Sequence, residues 1–168
     1  MRHSAVAGWA LAAAWAGSVV LAGADPASAQ DLEAALGEAA GEFAADWQGG
    51  NVGRLAELMG EGTIRLHLPD GSHPALSVRL ARAALEDLHG GVGVGPVETR
   101  QVRLLGGDPA RGFAEMIWTP HPSDVSEAVA FTVFAGFEWR DSAWRIVEVR
   151  VLPMDERGGT PYGRIAPA

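Results

Sequence analysis

The chain has 168 residues, no cysteine and no lysine, and its 13 arginines against 21 acids leave a formal net charge of −8. A disulfide frame, a thiol nucleophile and a cysteine zinc site are therefore excluded, as are a Schiff-base lysine and the lysine of a phosphate loop. The acidic balance also argues against nucleic acid or anionic lipid as a partner, because both require clustered cations.

The first 29 residues read as a leader. "MRH" is a short basic start, "AVAGWALAAAWAGSVVLAG" is an apolar run, and Ala27-Ser28-Ala29 is the small-x-small pattern of a signal-peptidase site. Cleavage after Ala29 would export the protein to the periplasm or the medium, with no membrane association afterwards. About 139 residues remain, enough for one domain with its own core. We expect that domain over 30–153, with 154–168 as a flexible tail that shows no periodicity.

In chain order, Asp31 to Gln48 has Leu32, Ala35, Leu36, Ala39, Phe43 and Trp47 at helical spacing, and Gly49-Gly50 ends it. Asn51 is placed to cap a short second helix, "VGRLAELM". "TIRLHL" alternates as a strand, and "PDGS" turns it into a hairpin with a short return strand near "HPAL". Ser77 suits the cap of a third helix, "VRLARAALEDLHG", whose inner side is expected at Leu80, Ala84, Leu85 and Leu88. After Gly90 the period becomes two. "PVETRQVRLL", "GFAEMIW", "AVAFTVFAGFEWR" and "AWRIVEVRVLP" then read as a four-strand antiparallel meander.

Most strands divide into two faces. Ile64, Leu66 and Leu68 share one face of the first strand, and Val129, Phe131, Val133, Ala135, Phe137 and Trp139 share one face of the long strand. Opposite them stand Arg65, His67, Thr132 and Glu138, with Glu115 on the strand between. The last strand is the odd one. Strict alternation groups Trp144 and Ile146 with Glu148 and Arg150, and Arg145 with Val147, Val149 and Val151.

This order of elements resembles the nuclear transport factor 2-like superfamily, in which a curved sheet wraps a long N-terminal helix. "WQGGNVGRLAELM" is similar to its helix–helix junction, and "FEWRDSAWRIVEVRVLP" to its final hairpin. The resemblance runs from Leu32 to Pro153. It implies an α+β fold with three helices and a curved antiparallel sheet made of a hairpin and a meander. Its members include isomerases, dehydratases, ligand-binding domains and assembly domains, and the fold alone does not choose among them. The isomerase branch uses a Tyr with a protonated Asp, but the only tyrosine here is Tyr162, in the tail. The dehydratase branch uses paired His with Asp; His67 and His73 flank the hairpin turn, with Asp70 at its tip.

The candidate ligand-binding set is Arg65, His67, Glu115, Trp144, Glu148 and Arg150. If that face lined the interior, the arginines would clamp a small hydrophobic or anionic ligand, and Glu115, Glu148 or His67 could serve as acid or base. If it faces outward, the same residues form cross-strand ion pairs on a solvated sheet or at a homodimer interface. The uniform apolar face is what a core needs, so the outward reading is preferred. The leading function is then non-catalytic, either small-ligand binding or protein assembly. A lyase- or isomerase-type enzyme is the alternative. The histidine spacing matches no compact metal motif, and no motif requires a cofactor.

Overall fold

The computed structural model describes residues 28–121 and 129–154. Residues 1–27 of the expected leader and 155–168 of the expected tail lie outside the described residues, whereas Ser28 and Ala29, the leader's last two residues, stand at the start of the first helix. The elements are α1 (Ala29–Gln48), α2 (Val52–Met59), β1 (Thr63–Leu68), β2 (Gly71–Ser77), α3 (Val78–Val92), β3 (Val97–Gly106), β4 (Arg111–Trp118), β5 (Phe131–Arg140) and β6 (Ala143–Pro153). All six strands join one sheet in the order β2-β1-β6-β5-β4-β3. β3 to β6 form the expected antiparallel meander. The hairpin joins it through a parallel pairing of β1 with β6, so the sheet is mixed at that junction. A long connection permits this direction: α3 and four strands lie between the two partners in the chain.

α1 opens on a reciprocal cap. The Asp31 backbone N–H donates to Ser28 Oγ at 3.2 Å, and the Asp31 carboxylate accepts from the Ser28 N–H at 3.2 Å and from its hydroxyl at 2.6 Å. Its apolar stripe buries Leu36, Ala40, Phe43 and Trp47 against the inner face of the sheet. Gly112 of β4 lets the helix come close. A Cβ at that position would run into the Leu36 side chain and sit 3.1 Å from the Arg103 carbonyl oxygen.

Aromatic rings fill the centre of the inner face. Phe43 stacks on Trp47 at 5.3 Å, Trp47 meets Trp118 edge-on at 5.5 Å, and Trp118 lies 5.4 Å from Phe131. His89 of α3 joins this cluster, with ring centroids 4.9 Å from Trp47 and 5.3 Å from Trp118. Its two ring nitrogens lie 2.9 Å from the Leu85 carbonyl and 3.2 Å from that of Trp47, tying α3 to the end of α1.

Two local expectations need correction. α3 buries Ala81, Leu85 and His89, whereas Leu80 is exposed and Ala84 and Leu88 are only half-buried. The helix is rotated by about one residue because the large ring of His89 claims a place in the core. Asn51 and Ser77 stand at the cap positions of α2 and α3, but neither side chain makes the capping hydrogen bond. Asn51 instead donates from its amide to Asp46 Oδ1 at 3.4 Å.

β6 resolves the mixed alternation of the last strand. Its register against β5 slips between Gly136 and Phe137: Gly136 pairs with Glu148, and Phe137 pairs with Ile146. Val147 is the extra residue of a β-bulge. Before the bulge, Trp144 and Ile146 face the core, and after it Val149 and Val151 do so. Glu148 and Arg150 take the other face, and Trp144 is not beside them. Its indole N–H donates to the Leu32 carbonyl at 3.1 Å, fastening β6 to the start of α1.

Candidate functional site

Cross-strand register aligns the outward side chains in rows. In one row, His67 of β1 stands beside Arg150 of β6, then Phe134 of β5, Glu115 of β4 and Gln101 of β3. In the next, Arg65 stands beside Glu148, Gly136, Phe113 and Arg103. Five of the six expected site residues therefore share one face, and it is the face directed away from α1. The sixth, Trp144, is in the core.

Glu148 is the hub of the ionic group. Its Oε2 lies 2.9 Å from Arg65 Nη2, and its Oε1 accepts from Arg150 Nε and lies 3.7 Å from His67 Nε2. Partial burial raises its pKa, but the hydrogen bond and charge of Arg150, joined by those of Arg65, outweigh this and leave it below the ordinary carboxylate value. His67 Nδ1 lies 2.8 Å from Ser72 Oγ across the hairpin. His73 pairs in register with Leu66, on the core side, so the two hairpin histidines do not converge.

Beside this group lies an open hollow of about 370 Å³ lined by Phe113, Glu115, Phe134, Glu148, Arg150 and Leu152, with Ala135 and Gly136 at its floor. The absence of a side chain on Gly136 opens it. Among the described residues, no ion pair or hydrogen bond reaches the Glu115 carboxylate, although the side chain is half-buried. One face thus holds two arginines and a histidine around one carboxylate and, two strands away, a second carboxylate with no such partner.

A separate ionic cluster closes the far end of β5, and sequence reasoning did not single it out as a site. Glu138 is 7% exposed and pairs with Arg140 at 2.6 Å and Arg111 at 3.5 Å. Its oxygens are satisfied by neighbours on β5 and β4, which is the role of a structural carboxylate. Among the described residues, no group of three His, Asp or Glu side chains is placed to hold a metal ion.

The chain is similar in fold to solved structures. A domain-of-unknown-function 4783 family protein from Bacteroides uniformis matches with a TM-score of 0.58 at 18% identity, covering 69% of this chain and 97% of that one. A nuclear transport factor 2-like protein from Cytophaga hutchinsonii has a TM-score of 0.54 at 11% identity, covering 76% of this chain and 99% of that one. The fold is nuclear transport factor 2-like. A putative scytalone dehydratase from Novosphingobium aromaticivorans has a TM-score of 0.61 at 10% identity, covering 79% and 94%. Identities this low carry the fold and not the activity. No protein-family model matches the sequence, and no curated protein matches it.

Proposed function

We propose that this chain is an exported, non-catalytic assembly module of nuclear transport factor 2-like fold, and that it pairs with a second copy through the outer face of β4, β5 and β6. The observation that carries this reading is the division of labour between the two sheet faces. The inner face is occupied by Phe43, Trp47, Trp118 and Phe137, all at most 2% exposed. The outer face carries an apolar-floored hollow and the ionic group.

A proton-transfer enzyme of the alternative kind needs a carboxyl with a raised pKa in a closed apolar cavity. Glu148 has the opposite shift and sits at an open surface. A sheet face combining aromatic and aliphatic side chains with charges of both signs suits a protein partner better. Centred on β5, that face extends to β1 on one side and β3 on the other; five strands about 4.8 Å apart, taken over about eight residues of about 3.3 Å, span roughly 600 Å². That is the order of the ~800 Å² each partner contributes to an ordinary stable interface.

The test is the mass of the exported protein in solution. The full precursor is expressed in a bacterial host, and the processed chain recovered outside the cytoplasm is examined by light scattering and analytical ultracentrifugation. A dimer is expected, and Phe134→Asp should give a monomer with an unchanged far-ultraviolet circular dichroism spectrum. A wild-type chain that stays monomeric at the highest attainable concentration, or a Phe134→Asp variant that still dimerises, would overturn the reading.

A further inference from the structure

The outer face also determines how two copies would register, an inference that rests on the assembly reading. We propose that the two-fold axis of the dimer runs along β5, and that it sets Glu115 of each copy against Arg150 of the other. Glu115 on β4 and Arg150 on β6 are the two cross-strand neighbours of Phe134, one on each side. Adjacent strands lie about 4.8 Å apart, so the two are equidistant from β5 in the same row. A half-turn about an axis lying in the face and directed along β5 exchanges their positions. It lays β4 of one copy over β6 of the other at an unchanged height along the strand.

Two features favour this axis over one directed across the strands. Glu115 has no cation among the described residues, whereas Arg150 has more donors than Glu148 uses. Its Nε is engaged, while its side chain remains 48% exposed. Leaving Glu115 half-buried and unpaired in a dry interface would be costly, and the half-turn removes that cost on both sides at once. The row containing Thr132 gains as well, because Ile117 of β4 is brought over Leu152 of β6 in the second copy. In the adjacent row the half-turn sets Arg103 of one copy over Arg65 of the other, a like-charge contact that counts against the axis and that Glu148, 2.9 Å from Arg65, offsets. The axis across the strands would instead set Arg150 against the second copy's Glu148, a carboxylate that already has two arginines, and would leave Glu115 over Phe113.

Charge reversal tests the pairing with Glu115→Arg and Arg150→Glu, studied singly and mixed. Each variant alone brings like charges together twice per dimer, so its dimerisation should weaken by ~10-fold or more. Mixed in equal amounts, the two should recover wild-type affinity as a heterodimer, because both contacts become opposite in sign. Rescue on mixing also excludes misfolding as the cause of the single defects. The effect should shrink in high salt. A wild-type dimer whose variants dimerise equally well alone and mixed would overturn the pairing while leaving assembly intact. Loss of dimer in Arg150→Glu alone, without rescue by Glu115→Arg, would indicate the axis across the strands and would also overturn the pairing. A monomeric wild type would overturn both proposals.

Discussion

Deleting Val147 should leave the domain folded, whereas deleting Arg145, two residues upstream, should destabilise it strongly. Val147 is the extra member of the bulge between Glu148 and Ile146. Without it the strand alternates strictly, with Trp144, Ile146, Val149 and Val151 still inward and Glu148 and Arg150 still outward, and the pairs Gly136–Glu148 and Phe137–Ile146 become consecutive. The cost is that of one half-buried valine, about 1 kcal/mol. Deleting Arg145 instead breaks the alternation before the bulge. If Val149 and Val151 keep their places, either Trp144 or Ile146 is turned to the outer face. Burying a side chain of that size stabilises a fold by about 1.5–3 kcal/mol. Turning Trp144 outward also breaks its indole hydrogen bond to the Leu32 carbonyl, which adds about 1 kcal/mol. The loss is about 2–4 kcal/mol, a large part of the 5–15 kcal/mol that holds a domain of this size. Urea denaturation followed by tryptophan fluorescence measures both variants. A Val147 deletion as damaging as the Arg145 deletion would refute the register argument.

The remaining predictions concern the ionic hub and the helix contact. Glu148 has a lowered pKa in the fold, so its ion pairs add stability above the ordinary value of 4.5, and that contribution is lost as pH falls through the lower folded value. Glu148→Gln should therefore flatten the acid limb of thermal stability against pH below 4.5 and lower the melting temperature at neutral pH; an unchanged acid limb counts against the hub. Gly112→Ala puts a methyl against Leu36 and the Arg103 carbonyl oxygen, and overpacking of this kind costs about 1–3 kcal/mol in chemical denaturation. The double variant Gly112→Ala/Leu36→Ala should lose less stability than the sum of the two single losses, and strict additivity would mean that the two positions do not touch.

Much of this fold was legible because its signals are local and repetitive. α2 and β1 have their expected limits, the meander is in the expected order, and the apolar stripe Leu36, Phe43, Trp47 is buried as its spacing requires. Period-two patterning also distinguished the two faces on β1, β4 and β5. It failed at β6, where one inserted residue inverts the alternation and no residue type announces it, since the bulged position is an ordinary valine. Trp144 was placed in the candidate site for that reason alone. The parallel pairing of β1 with β6 was hidden for a different reason: it joins segments about eighty residues apart, and nothing in either strand specifies the direction of its neighbour. His89 was invisible as a core residue because imidazole is usually a surface group. Its burial depends on carbonyl partners from Leu85 and Trp47 that only the tertiary fold supplies.

The bulge also explains why the candidate site exists where it does. Trp144 and Ile146 must face inward to meet α1, and Val149 and Val151 must face inward to meet the rest of the core. A regular strand with Trp144 and Ile146 inward would send position 148 into the core as well. By absorbing one residue at Val147, β6 keeps four apolar side chains inside and still directs Glu148 and Arg150 outward, into the rows that hold Arg65, His67, Phe134 and Glu115. Gly136 pairs with Glu148 at the slip itself, and a Cβ there would stand 3.3 Å from the Glu148 Cβ. The missing side chain that opens the hollow is thus tied to the same irregularity that turns the charges toward it. Core packing and the outward surface are two consequences of one inserted residue.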